Sequence, residues 1–391
     1  MQKYPYLIVG GGMTAAAAMS GIREIDPTGG IGLIGSDPDA PYDRPPLSKK
    51  LWQGKPLDEI WRKLEGRPAD LHLGRAVTKI DPEGKRVVDD RGESFGYERL
   101  LLATGGRPRR LPFGDDRIVY FRTLADYRRL RGLAEKGRRF AVIGGGFIGS
   151  EIAAALAMNG KEVVMVFPGR HIGERLFPGD LARFVSDYYK QKGVEVLAGS
   201  QASALAPRGG QLVLTTSGRG EIAVDGVVAG LGIVPNVELA EAAELKVEDG
   251  IVVDELLRST RPDIYAAGDV AAFHYPSLGK RRRVEHEDNA NAMGRLAGRN
   301  MAGKSEPYRH LPFFYSDLFE LGYEAVGELD PRSDIFADWE EPNKKGVIYY
   351  LRDHRVRGVL LWNAWGLIEA ARALIAEPGP FASGNLKGRL K

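Results

Sequence analysis

An α/β chain of three domains is what this sequence predicts: two doubly wound βαβ units and a smaller α+β domain with an antiparallel sheet. Three observations carry that expectation. A short apolar strand, a glycine turn and an alanine-rich helix stand together near the start, in YLIVGGGMTAAAAMSGI. The same arrangement returns in RRFAVIGGGFIGSEIAAALAMNGKEVVMVF, residues 138–167. From residue 310 onward aromatic and apolar residues alternate, which is a strand period rather than a helical one. A length of 391 residues suits two or three domains at roughly 100–200 residues each.

Taken in order, Gly10, Gly12 and Ala15 fit G-x-G-x-x-G/A, and the next strand, IGLIG at 31–35, ends near Asp37. Gly144, Gly146 and Gly149 repeat the pattern. A lone match of this kind is weak, but each here has a strand before it, a helix after it and a second strand beyond. The pair is an internal repeat of two Rossmann-like units. Each sets backbone N–H groups and a helix N-terminus against a pyrophosphate, so the chain has two dinucleotide sites. YERLLLATGGRPRRLP (97–112) and VDGVVAGLGIVPN (224–236) read as the closing strands of the two units. RPDIYAAGDVA (261–271) is a strand ending in Gly268-Asp269, and a helix follows within 284–303. The last region holds the strands FFYSDLF, YEAVGEL, GVIYYLRD and VRGVLLWNAW, the helix GLIEAARALIAE (366–377) and a loosely held tail. The predicted domains are 1–112 with 233–309, 113–232, and 310–391.

Composition narrows the function classes. Hydrophobic residues at 43% and charged residues at 27% are ordinary for a folded protein. A net charge of +3 with one basic run, Lys280 to Arg283, does not predict nucleic-acid binding. The run reads as a solvated or phosphate-side loop. There is no cysteine, which excludes disulfides, thiolate metal sites and an internal CxxC redox pair. Six histidines without ligand spacing predict no metal site. No apolar run approaches 18 residues, so no transmembrane helix is expected. The start enters a strand at once, which leaves no room for a signal or transit peptide and makes a cytoplasmic location the default.

The segments resemble the pyridine-nucleotide-dependent flavoprotein reductases. The resemblance rests on the two glycine units, on Ala103-Thr104-Gly105 and on the AAGD segment ending in Asp269. PYDRPPLSK (41–49) narrows it to the branch of ferredoxin and rubredoxin reductases and the apoptosis-inducing factor. VFPGRHIGERLFP, RRRVEHEDNANAMGRLAGRNMAG, FFYSDLFELGYEAVGELD and GVIYYLRDHRVRGVLLWNAW are similar to the last of these. The chain looks like a compact relative of bacterial type, covered over essentially its whole length. No presequence is expected, the third domain is short and without the long insertion of the animal protein, and His286-Glu287 stands where the family often has two histidines. An apoptotic role is not implied.

The resemblance implies that the first unit binds FAD and the second NAD(P)H. Gly10, Gly11, Gly12, Met13 and Thr14 would cradle the FAD pyrophosphate. The position of the ribose acid falls on Ser36, with Asp37 next to it. Val77 would offer backbone hydrogen bonds to adenine, and Ala103, Thr104 and Gly105 form the ATG contact. Pro41, Pro45 and Pro46 exclude a helix interior and a central strand from the loop that carries Arg44 and Lys49. They also stiffen it, which lowers the entropy cost of ordering it on a cofactor. Arg44 would lie near the adenosine and phosphates, and Lys49 near flavin N5, paired with Glu151. Asp269 would accept from a ribityl hydroxyl. His286 and Glu287 lead a helix whose N-terminal dipole would face N1/O2. Arg122 and Tyr315 are further contacts. In the second unit Gly145, Gly146, Phe147 and Ile148 line the nicotinamide path, with Phe147 as the aromatic gate. Gly232, Glu324 and Asn363 complete the candidates. Phe167 occupies the strand-end position where an acid selects NADH. Gly169 stands where the animal apoptosis-inducing factor has glutamate, and Arg170 and Arg175 suit a 2′-phosphate. NADH is the family expectation, with NADPH left open.

The implied chemistry is hydride transfer from nicotinamide C4 to flavin N5, with no side-chain general base. Without cysteine, electrons go to an external acceptor: an iron–sulfur protein, a quinone or oxygen. Three functions compete. One is an NAD(P)H-oxidising FAD enzyme like the apoptosis-inducing factor. Another is a ferredoxin or rubredoxin reductase whose docking face could use Lys280–Arg283. The third is a redox-switched binding protein with a long-lived reduced complex. A monomer or a redox-dependent homodimer is expected.

Overall fold

Apolar and aromatic residues carry the chain straight into strand Gln2–Val9, where Leu7 and Ile8 are wholly buried. Burying each such side chain contributes about 1.5–3 kcal/mol. The computed structural model describes residues 1–63, 68–275 and 278–390. It divides into two compact units. The first comprises Met1–Asp43, Leu57–Arg107 and Val234–Pro312, and the second comprises Arg44–Pro56, Pro108–Ile233 and the chain from Phe313 to the end.

In the first unit, strands Asp70–Leu73, Ile31–Gly35, Gln2–Val9 and Ser94–Leu102 lie side by side in parallel. The end of Ser94–Leu102 also pairs in parallel with Ile264–Ala266, and its start pairs with the antiparallel hairpin Val77–Asp81/Arg86–Asp89. Helices Met13–Ile25 and Glu287–Met301 pack backbone to backbone. A Cβ on Gly21 would meet Arg295 O at 1.9 Å, one on Gly294 would meet Thr14 O at 2.4 Å, and one on Gly298 would meet Ala18 O at 2.0 Å. Only glycine permits that approach. It is how the helix Glu287–Met301, far along the sequence, comes to flank the first glycine turn.

The second unit holds a parallel sheet in the order Val194–Ala198, Glu162–Phe167, Arg139–Ile143, Gly226–Ala229, Ile118–Tyr120. Its inner strands are continuous apolar runs, as strands buried on both faces require. A three-stranded antiparallel meander, Ala202–Arg208, Gln211–Thr216 and Gly220–Val224, lays Leu205, Leu214 and Ile222 onto that core. The last region is a five-stranded antiparallel sheet in the order Phe313–Leu318, Leu321–Gly327, Arg355–Trp362, Lys345–Arg352, Asp334–Glu341. Helix Ile368–Ala376 packs on it.

Four of those last strands match the alternation seen in the sequence. Asp334–Glu341 escaped it, because DIFADWEE is polar and only half-buried at the end of the sheet. The proline-rich loop holds two 3-10 turns, Pro45–Ser48 and Lys50–Gln53. Prolines at the first two positions are compatible with this, since those N–H groups have no partner inside the turn. The basic run is no loop either. Lys280–Arg282 is a strand paired with Ala271–Tyr275. Arg281 donates to the carbonyls of Val253 and Ala272, and Arg283 bridges Asp249 and Glu285.

Candidate functional site

The two glycine turns share one backbone. Gly10 and Gly144 both have φ of +121°, and a Cβ there would meet Ala103 O at 2.2 Å and Gly230 O at 2.4 Å. Helices Met13–Ile25 and Phe147–Met158 each begin on a glycine N-cap, Gly12 and Gly146, without a side-chain cap hydrogen bond. Their first-turn N–H groups are therefore left for an anion. Helix Leu124–Lys136 is different: Thr123 and Asp126 close its start in a capping box, and Arg122 stands just before it. A Cβ on Gly146 would touch nothing within 4 Å, so packing does not demand glycine there; Gly232 is equally open, but its φ of +80° by itself favours glycine. Open backbone beside a helix start fits a bound pyrophosphate.

Around the first turn, Gly11 faces the backbone of Gly35. Ser36 is exposed, and Asp37 accepts from the Asp39 N–H and the Tyr42 hydroxyl at 3.0 Å. Val77 opens its hairpin strand opposite Asp89. Ala103 N–H donates to Val9 O, and Thr104 and Gly105 are held by Asn236 through three hydrogen bonds. A Cβ on Gly268 would strike Thr14 Oγ1 at 2.2 Å, so Asp269 is carried next to the helix start. Asp269 O accepts from Arg283. His286 caps helix Glu287–Met301. Desolvation pushes its imidazole down to about 4, against the opposing pull of Asp269 and Asp288. The ring is neutral at pH 7.

Around the second turn the chemistry is denser. Gly145 lies over the Phe167 ring. Phe147 and Ile148 open the helix, and Phe147 meets Phe314 edge to face at 5.4 Å. One turn on, Glu151 is buried with 3% of its side chain exposed. Lys49 Nζ donates to Glu151 Oε1 at 2.7 Å, Ser316 Oγ to the same oxygen at 2.6 Å, and Ser48 Oγ to Oε2 at 2.6 Å. Charge-assisted bonds of this kind are about twice as strong as neutral ones. The Lys49 ammonium also sits 5.0 Å from the Tyr315 ring centroid. Burial pushes the Asp317 carboxyl up, with Glu151 reinforcing and Lys49 opposing the shift. Arg44 precedes this cluster at the N-cap of the first 3-10 turn.

Two of the remaining candidates, Glu324 and Asn363, have structural partners. Glu324 accepts from Gly366 N–H, and Asn363 ties Gly322 to Lys344 at the end of the antiparallel sheet. Gly169, Arg170 and Arg175 lie in the loop after Glu162–Phe167. Sequence reasoning missed Ser48, Ser316 and Asn236. Ser316 had a signal: in FFYSDL it takes an inward position between Phe314 and Leu318, where an apolar residue would be expected.

Two glycine-turn βαβ units on one chain, the second with a buried lysine–carboxylate pair at its helix, define a two-nucleotide redox protein. The chain belongs to the pyridine nucleotide-disulphide oxidoreductase family, which residues 4–294 match. Residues 297–342 and 331–377 match the C-terminal region of the mitochondrion-associated apoptosis-inducing factor. The chain is 34% identical to apoptosis-inducing factor 1 of Dictyostelium discoideum, over 96% of this chain and 79% of the relative. It is 35% identical to the ferredoxin–NAD(+) reductase component of the anthranilate 1,2-dioxygenase system of Burkholderia cepacia, over 96% of this chain and 95% of the relative. Among solved structures it resembles putidaredoxin reductase in its covalent complex with putidaredoxin. There the TM-score is 0.91 at 29% identity, covering 98% of this chain and 95% of that one. Among the described residues no helix is long and apolar enough to cross a membrane.

Proposed function

We propose that the chain oxidises NADH through bound FAD and passes the electrons to a small iron–sulfur protein of ferredoxin type. The observation that carries this is the buried Lys49–Glu151 pair, locked by Ser48 and Ser316 beside Phe147. Gly10 to Thr14, Asp37, Asp269 and His286 would hold FAD, and Gly145 to Ile148 would hold the nicotinamide nucleotide. When bound, FAD supplies a two-electron acceptor that can release electrons singly. The chain's own part would be to offer the reduced ring an ammonium, Lys49, kept oriented by Glu151, with Phe147 and Tyr315 screening that ion pair from water. With no cysteine in the sequence, the acceptor has to be external. Similarity to a ferredoxin–NAD(+) reductase component over nearly the full length of both chains supports the iron–sulfur partner.

The C-terminal match to the apoptosis-inducing factor favours a second reading, a slowly reoxidised protein whose reduced form engages a partner. One experiment separates the two. The purified yellow protein is titrated anaerobically with NADH, its spectrum recorded, and either a ferredoxin or air admitted. Flavin bleaching followed by fast ferredoxin reduction supports the first reading. A long-wavelength charge-transfer band that persists for many minutes in air, with no ferredoxin turnover, supports the second. No bleaching by NADH or NADPH overturns both.

A further inference from the structure

The strand that normally carries the coenzyme-selecting acid has none here. Glu162–Phe167 ends in Phe167, Pro168 and Gly169. The loop beyond it folds back on the second glycine turn: Gly173 N–H donates to Gly145 O at 3.0 Å, and Gly199 N–H pins Gly169 O at 2.8 Å. We infer that Glu174, seven residues past the strand, supplies the missing carboxylate and makes this site select NADH over NADPH. The inference rests on the second turn being the nicotinamide nucleotide site.

Three observations carry it. Glu174 Oε2 accepts the Arg170 N–H at 2.8 Å, which fixes the carboxylate inside the loop. Its Oε1 lies 2.1 Å from where a Gly169 Cβ would be. Gly169 thus leaves the space that the Glu174 carboxylate occupies, and a side chain there would displace it. Oε1 itself has no hydrogen-bond partner among the described residues, so it is available to accept from a ribose diol. The carboxylate therefore stands at the C-terminal end of the second strand of a βαβ unit, where dinucleotide folds place the acid that accepts both adenosine ribose hydroxyls.

Arg170 and Arg175 pull the other way, since a guanidinium suits a 2′-phosphate. Both are exposed, and neither guanidinium has a hydrogen-bond or ion-pair partner among the described residues. The Glu174 carboxylate is fixed in place, whereas the two cations are solvated and screened. A 2′-phosphate arriving at the ribose would meet the fixed negative charge first. Rejection of this kind needs a repulsive element as well as a lost attraction, and Glu174 provides both.

The test uses the flavin-loaded protein with NADH and NADPH and an artificial acceptor. In parallel, calorimetry measures binding of ADP-ribose and 2′-phospho-ADP-ribose, which needs no turnover. The wild type is expected to favour NADH by about 100-fold or more in kcat/KM. Glu174→Gln keeps an amide oxygen for the Arg170 N–H, so the loop should hold. It is expected to narrow the preference about tenfold or more, mainly through the KM for NADPH, and to tighten 2′-phospho-ADP-ribose binding. Glu174→Ala should do the same more strongly. The inference alone fails if both ligands bind and Glu174→Gln leaves the ratio unchanged, or if the wild type prefers NADPH. If neither adenosine ligand binds to the wild type, the site reading fails and takes the inference with it.

Discussion

The two glycine turns are nearly superimposable in backbone and unlike in everything around them. Gly10 N–H donates to Ile34 O and Gly144 N–H to Val166 O; Ala103 N–H donates to Val9 O and Gly230 N–H to Ile143 O. The N-cap glycines have the same φ of −94°. Five residues past those N-caps the first helix has Ala17 and the second Glu151. The first helix buries small residues against the Glu287–Met301 helix; the second buries a carboxylate under three donors. A motif can therefore specify a phosphate cradle twice while its surroundings assign two different tasks.

The strongest way to break this contrast is to remove what only the second helix has. Glu151→Ala leaves the Lys49 ammonium buried without its partner and should cost about 3–5 kcal/mol. Ser316→Ala should cost about 1.5–3 kcal/mol, since it removes a bond to a charged group. Urea unfolding of the two variants measures both. A loss under about 1 kcal/mol for Glu151→Ala would mean that the pair behaves like an exposed one and does not distinguish the turns.

Gly10→Ala and Gly144→Ala test what the turns share. Each forces a side chain into a positive φ and against a carbonyl oxygen, so each should cost at least about 2 kcal/mol. Their ligand effects should separate: Gly10→Ala loses flavin on gel filtration, whereas Gly144→Ala keeps flavin and loses NADH binding. Reversal of that pattern would exchange the two sites.

His286 gives the first turn a pH signature of its own. Its folded pKa of about 4 lies below the ordinary value of 6.5. The unfolded chain therefore binds the extra proton first as pH falls. Stability from the neutral ring is complete above pH 6.5 and is lost on descent towards pH 4. Comparing wild type with His286→Gln in the cofactor-free protein should show a difference of about 1–3 kcal/mol between pH 7 and pH 4.

The smallest effect is expected at Lys192→Met. Lys192 bonds Glu320, which stands 69% exposed, and with Tyr188 it pulls that carboxyl down to about 2. An exposed pair contributes about 0–1 kcal/mol. A thermal shift of a degree or two, with unchanged NADH binding, would set the scale against which the buried Glu151 cluster is judged.

The sequence by itself determined the two turns, because a positive φ and a close carbonyl admit only glycine and leave a local signature. It determined the strand alternation after residue 310 for the same reason, since period two is local. It also excluded an internal disulfide, because that follows from residue type alone. The Lys49–Glu151 pair was legible only through resemblance, because 102 residues separate its members. Only the tertiary structure decided that Ser48 and Ser316 complete the carboxylate's shell, that Asn236 holds Thr104, and that Arg281 and Arg283 brace carbonyls and carboxylates. It alone placed Glu174 where the strand-end acid is missing. Each of these is a contact between side chains and backbone brought together by sheet order and glycine-tight helix packing, and neither leaves a period or a spacing in the chain.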